Sequence, residues 1–145
     1  MGKLDGKVAL VSGAAKGQGE AEAVMDMPRV LATLVAEPVF EFFPMGKKIS
    51  GRRNIEAFYQ QQYPTFGPKV AGYEVLGEWT NELAALQEYV IDVNETDGSI
   101  TRYHVISMMP VDDETGLLKG ERLYCDDGFV YALLGPLAAH LEPIG

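Results

Sequence analysis

Eight residues near the start of the chain, S-G-A-A-K-G-Q-G at 12–19, have the spacing of a phosphate cradle. Gly13, Gly17 and Gly19 follow an apolar run at 8–11 that reads as a buried parallel strand. Glycines in that place make the tight turn after a first strand, let the backbone approach a pyrophosphate and aim the next helix's N-terminus at it. Other reactive residue types are sparse. The single cysteine, Cys125, excludes an intramolecular disulfide and a multi-cysteine metal site. His104 and His140 lie far apart without metal-ligand spacing, so no metal is implied. The chain carries 21 acidic and 12 basic residues, a net charge of −9, which excludes the basic stripe that nucleic-acid binding needs. Its densest basic spots, Lys47-Lys48 and Arg52-Arg53, read as a solvated turn and a helix start. No apolar run reaches transmembrane length and no signal peptide precedes the first strand. The expectation is a soluble, cytoplasmic protein with neither a nucleic-acid nor a membrane partner.

The glycine stretch, preceded by D-G-K-V-A-L-V, resembles the start of the short-chain dehydrogenase/reductase family over roughly the first 23 residues. The resemblance implies a nicotinamide cofactor. The rest of the chain departs from that family. Strand–helix alternation stops after residue 23, no tyrosine has a lysine four residues later, and there is no N-N-A-G segment. Without the Tyr–Lys pair that family has no proton donor for a carbonyl oxygen. Residues 1–25 therefore read as a reductase-like segment, not a full domain, joined to a different body by fusion or truncation. Gly13, Gly17 and Gly19 are then a relic, residues 14–25 a substitute first helix, and no cofactor is expected.

The body, 26–145, reads as one domain. Asp26 is placed as an N-cap and Pro28 in the first turn of a helix carrying Val30, Leu31, Leu34 and Val35, which Pro38 stops. A short aromatic strand covers 39–43, and a turn at 45–48 precedes Ile49. Ser50-Gly51 opens a second helix with Ile55, Phe58, Tyr59 and Tyr63 on its apolar stripe, and Pro64 ends it. Long strands are expected at 69–79, 83–93, 101–109 and 117–124, separated by turn chemistry at Thr80-Asn81, Thr96-Asp97-Gly98 and 112–116. A proline-interrupted helical end comes last, at 129–141. The class is α+β: a curved antiparallel sheet wrapped around N-terminal helices, forming a cone whose interior is the default ligand site.

Two stretches carry a resemblance to the NTF2-like superfamily, whose members include ketosteroid isomerase, limonene-1,2-epoxide hydrolase and SnoaL-like polyketide cyclases. One is I-S-G-R-R-N-I-E-A-F-Y-Q-Q at 49–61, similar to that superfamily's G-R…F-Y helix start. The other is G-L-L-K-G-E-R-L-Y-C-D-D-G-F at 116–129, similar to its last strand. The resemblance implies a homodimer and an apolar small-molecule ligand. It places Asp126 on the aspartate of the last strand and Asp92 on the other half of a carboxylate pair. Two carboxylates in an apolar cone have their pKa values pushed apart, giving one acid and one base.

Three of five epoxide-hydrolase positions differ. Val90 stands where an arginine is expected, and Phe40 and Phe42 stand where a tyrosine and an asparagine would hold water. Ketosteroid isomerase keeps its base near Phe42, where only Glu41 is close and alternation turns it away. A SnoaL-like set remains, with Asp126 as acid/base and His104 as partner. Phe40, Phe42, Tyr59, Trp79, Val90 and Met108 are expected to line the pocket, with Glu88, Arg122 and Tyr124 at its mouth. The expected function is binding of a hydrophobic small molecule with isomerase-, cyclase- or hydrolase-type proton transfer. The alternatives are a non-catalytic ligand-binding or dimerisation module and, behind it, an NAD(P)-dependent reductase.

Overall fold

The computed structural model describes residues 27–145, so the glycine stretch and the segment 1–25 lie outside the described residues. The first helix is short. Helix α1 (Met27–Ala32) ends where Thr33 turns its hydroxyl back onto the Val30 carbonyl at 2.6 Å. Strand β1 (Leu34–Phe43) begins one residue later and takes up Leu34 and Val35, which the periodicity assigns to the helix. The strand wins because Leu34 pairs with Leu118, and because Arg52 satisfies the carbonyls left at the junction. Its guanidinium donates to Leu31 O and Val35 O, both at 3.0 Å. Pro38 therefore does not stop a helix. It sits within β1 where the register slips between Leu34 and Val39, and its missing N–H costs no ladder bond there.

Residues 47–50 form strand β2 (Lys47–Ser50) rather than the end of a turn, with Ile49 opposite Phe40. Helix α2 (Arg52–Ala57) runs into a π-helical turn at Phe58–Gln62 and then into helix α3 (Tyr63–Phe66). Pro64 does not end this rod. The π turn, closed by Tyr63 N–H donating to Phe58 O, widens the backbone just before the residue that cannot donate.

The long strands match the expected boundaries to within a residue: β3 (Val70–Thr80), β4 (Ala84–Asn94), β5 (Ile100–Pro110) and β6 (Leu118–Tyr124). Helix α4 (Asp127–Leu134), a 3₁₀ turn (Gly135–His140) and the two-residue strand β7 (Glu142–Pro143) complete the described chain. The seven strands form one sheet in the order β3-β4-β5-β6-β1-β2-β7. Only the β1–β6 pair is parallel.

Helices cover one face of this sheet, here called inner. Phe58 and Tyr59 set their rings edge-on to Phe40 of β1, with centroids 5.6 and 5.8 Å away. Tyr103 of β5 and Phe66 of α3 pack against Phe129 of α4. The core between the layers includes Ile55, Phe42, Val105, Leu118 and Leu134, all essentially without exposure. Each buried aromatic removes on the order of 150–250 Å² from water, so this layer is the main driving force for closure.

Two bulges set which side chains enter that layer. Between the Ser107–Leu123 and Val111–Leu118 pairings, β6 uses one residue more than β5. Gly120 absorbs it with φ +134°, passing so close to β1 that a Cβ there would stand 1.9 Å from Val39 O. On β3, the register shifts between Val75 and Gly77. Each bulge flips the alternation downstream, so Glu121 and Glu78 turn inward and Arg122 and Trp79 turn outward.

Candidate functional site

Polar side chains from four neighbouring strands meet on the inner face. Glu121 of β6 lies beside Phe40 of β1 in the parallel pairing. It accepts a short hydrogen bond from the Ser107 hydroxyl of β5, and Ser107 is itself buried. The residue Glu121 as a whole is half-buried, but its carboxyl end is enclosed. That burial pushes the carboxyl's pKa above its ordinary 4.5, and the Ser107 bond opposes the rise. Among the described residues no cation pairs with it.

Across β5, Gln87 of β4 stands opposite Ser107, and Glu78 of β3 stands opposite Gln87. Gln87 donates from Nε2 to Glu78 at 2.8 Å and accepts at Oε1 from the Tyr73 hydroxyl at 2.7 Å. Tyr89, next on the inner side of β4, tilts its ring against Tyr73 with centroids 5.0 Å apart. The polar strip Glu121, Ser107, Gln87, Glu78 and Tyr73 thus runs from the buried layer at β6 and β5 to a solvent-exposed end on β3, where Tyr73 is 54% exposed.

Cys125 is buried on the same side of β6, as its alternation against Asp126 predicts. Burial and the neighbouring Asp126, Asp127 and Glu121 push its thiol up to about 12, so it stays protonated and unreactive at neutral pH. Tyr103, which donates to Glu95 at 3.3 Å, is also raised, chiefly by burial.

The residues named from sequence divide between the two faces. Phe40, Phe42 and Tyr59 lie in the inner layer, fully buried. Asp92, His104, Glu88, Val90 and Met108 stand on the outer face, because their strand parity is opposite to that of Tyr89 and Val105. Asp92 meets Arg102 there through two bonds of 2.8 and 2.9 Å, and this hydrogen bonding is the main cause holding its carboxyl below the usual range. The downstream flip at Gly120 puts Arg122 and Tyr124 outside. Arg122 pairs with Glu41 at 3.0 Å and Tyr124 stacks on Phe43 at 5.1 Å. Trp79 is outside by the β3 bulge, its indole lying over Gly77. Asp126 caps α4: its Oδ1 accepts from Gly128 N at 2.7 Å. Asp126, Asp92 and His104 are therefore not brought together, since Asp92 and His104 share a face that the cap does not reach.

Glu121, Ser107, Gln87, Glu78 and Tyr73 are absent from the sequence-based selection. A signal for Gln87 existed: Tyr89, Ile91 and Val93 mark the odd side of β4 as apolar, which places Gln87 with them. For Glu121 and Glu78 the signal was Gly120 and Gly77, glycines within strands, which mark bulges.

No known protein family and no curated protein matches the chain by sequence. Solved structures do match by shape. An NTF2-like protein of unknown function from Burkholderia xenovorans is 21% identical, with 81% of this chain and 84% of that one covered at a TM-score of 0.60. An LEH-like epoxide hydrolase from M. tuberculosis is 19% identical over 92% of each chain, at a TM-score of 0.62. A candidate SnoaL-like polyketide cyclase from Shewanella denitrificans is 16% identical, with 86% of this chain and 96% of that one covered at a TM-score of 0.60. Sheet order, helical layer and these likenesses together give the fold: an α+β cone of the NTF2-like type. No helix among the described residues is long and apolar enough to cross a membrane.

Proposed function

We propose that this protein binds an apolar small molecule against the inner face of its sheet and moves a proton to or from it through Glu121. One observation carries the reading: a carboxyl enclosed in an aromatic layer, held by a serine hydroxyl, with a pKa raised by burial. Such a group keeps its proton nearer neutral pH than an exposed carboxyl does. Protonated, it can donate to a carbonyl or epoxide oxygen. Ionised, it can take a proton from carbon next to a carbonyl. Ser107 fixes its orientation and steadies the ionised form. Isomerisation, cyclisation and hydration are all within reach of that chemistry, and the likeness to an epoxide hydrolase and a candidate cyclase supports the same range. Outward-facing Ile106 and Tyr124, lying between ion pairs that are already satisfied, support association of two copies through the outer face.

The test is a thermal-shift panel of apolar ketones, epoxides, polycyclic phenols, NADH and NADPH, followed by NMR of solvent-deuterium exchange into any ketone that binds. A ligand at 100 times its dissociation constant stabilises by about 2.7 kcal/mol, a clear shift. The expected outcome is that wild type and Glu121→Gln both bind the ketone, and only wild type exchanges. Exchange that survives in Glu121→Gln removes Glu121 from the chemistry. Binding with no exchange in either protein makes the chain a ligand-binding module. A shift with NADPH alone revives the reductase reading.

A further inference from the structure

The two edges of the sheet differ in kind. β7 is two residues long and carries Pro143, so it offers a neighbour almost no free ladder groups. β3, at the other edge, runs for 11 residues without a proline or a lysine. An edge of that length presents a row of backbone N–H and C=O groups to any strand that fits it, and two bulges interrupt the row without ending it. Its side chains are apolar and in water. Val75, Leu76, Trp79 and, in the following turn, Leu83 are 41% to 61% exposed. Val75 stands opposite Tyr89 and points inward, whereas Trp79 stands opposite Leu86 and points outward. The edge is therefore apolar on both sides of the sheet. Its charged residues, Glu74 and Glu78, are both negative and exposed.

We propose that residues 7–12 of the same chain, K-V-A-L-V-S, add to β3 as a further strand and close this edge. They belong to the part of the chain outside the described residues and contain its longest apolar run. A run without polar alternation suits a strand whose two faces both meet apolar side chains. Val8 and Leu10 would share one face, Ala9 and Val11 the other. Charge favours the same match. Residues 1–16 carry three lysines and one aspartate, a net +2 in a chain of −9, so the rest of the molecule carries −11. Lys7 enters an edge whose own charges are glutamates. A second copy of β3 would instead bring Glu74 and Glu78 against their like. The chain is also long enough. The pairings Thr80–Ala85, Ala84–Pro110, Val111–Leu118 and Leu118–Leu34 put the end of β3 and the start of β1 at one end of the sheet. Four strand spacings, about 19 Å, separate those two strands. Residues 13–26 span up to about 45 Å when extended.

Amide hydrogen exchange, read residue by residue by NMR on the full chain, tests this. The proteins are wild type, the double variant Val8→Glu, Leu10→Glu, and Lys7→Glu. The β3 amides that do not donate to β4 should exchange at least ~10-fold more slowly in wild type than in the double variant, because an added strand gives them a partner. Lys7→Glu should lose part of that protection, and more of it at low salt. Amides of β4 and β5 should keep their rates in all three proteins, which shows that the body stays folded. Trp79 is the only tryptophan, so its emission should be blue-shifted in wild type relative to the double variant. Should the double variant lose protection throughout β4 and β5, Lys7→Glu decides, and unchanged edge protection there overturns the proposal. Edge amides that exchange in wild type at the rate of an open peptide overturn it as well, as does protection that survives in a folded double variant. Protection that falls on dilution gives the edge to a second copy and overturns the assignment to residues 7–12.

Discussion

Two acidic residues five positions apart, Glu121 and Asp126, have opposite fates. Asp126 sits at the start of α4, where its carboxylate accepts a backbone N–H that the helix leaves unpaired. An aspartate directly before the helical end is the residue type and place that a cap needs, although the resemblance assigns Asp126 to acid/base chemistry. Glu121 had no such local cue, because glutamate is almost never fully buried unless paired. Its raised pKa has a consequence for stability. The folded state holds the proton more tightly than the unfolded chain, so protonation favours folding. That contribution is fully present below the ordinary value of 4.5 and is lost as pH rises through the folded pKa. Glu121→Gln cannot ionise and keeps an acceptor for Ser107. Its melting temperature should exceed that of wild type at pH 8, and the gap should close as pH falls towards 4, measured by calorimetry across that range. A gap that widens at low pH would mean that Glu121 is stabilised as the anion.

At the level of elements, strand existence was readable and strand phase was not. Val70–Thr80, Ala84–Asn94, Ile100–Pro110 and Leu118–Tyr124 were marked by their turns, Asn81, Asp97-Gly98 and Asp112, whose side chains do bond the following backbone or hydroxyl groups. Strict alternation from Leu118 would have placed Arg122 and Tyr124 inside. The extra residue at Gly120 reverses this, just as the bulge before Gly77 reverses Trp79 and Glu78. Helix length failed for a related reason. The apolar spacing from Val30 to Val35 fits a helix, but a partner strand 84 residues away from Leu34, at Leu118, decides otherwise. Since Gly120 sets the phase of the site, replacing it tests that role. Gly120→Ala must leave a left-handed φ and avoid a carbonyl 1.9 Å from its new carbon. It should cost ~3 kcal/mol or more, from backbone strain and overpacking together. Urea denaturation measures this, and a loss below ~1 kcal/mol would show that β6 reaches the same register without the bulge.

For the whole molecule, helices cover one sheet face and, among the described residues, nothing of comparable size covers the other. That outer face carries Ile106 and Tyr124 directly opposite each other, 37% and 39% exposed, with the half-buried Met108 beside them. Four of its charged side chains pair within the chain, in Asp92–Arg102 and Glu41–Arg122, while Glu88 stands directly opposite Ile106. A second copy laid on this face would bury Ile106 and Tyr124 without breaking either ion pair, provided Glu88 stays in water at the edge of the contact. Against it stands the net charge of −9 on each chain. Repulsion between two such chains is long-ranged and screened by salt, with a Debye length of about 8 Å at physiological ionic strength. The dimer should therefore tighten as salt is raised, opposite to an interface made by ion pairs. Light scattering should give twice the 15.8 kDa chain mass at micromolar concentration. The double variant Ile106→Glu, Tyr124→Glu sets two carboxylates against their copies across the interface. It should raise the dissociation constant by at least ~10-fold, about 1.4 kcal/mol, with an unchanged circular dichroism spectrum. A wild-type chain that stays monomeric at every salt concentration removes the outer face as an interface, and leaves its apolar strip shielded only by the charged side chains around it.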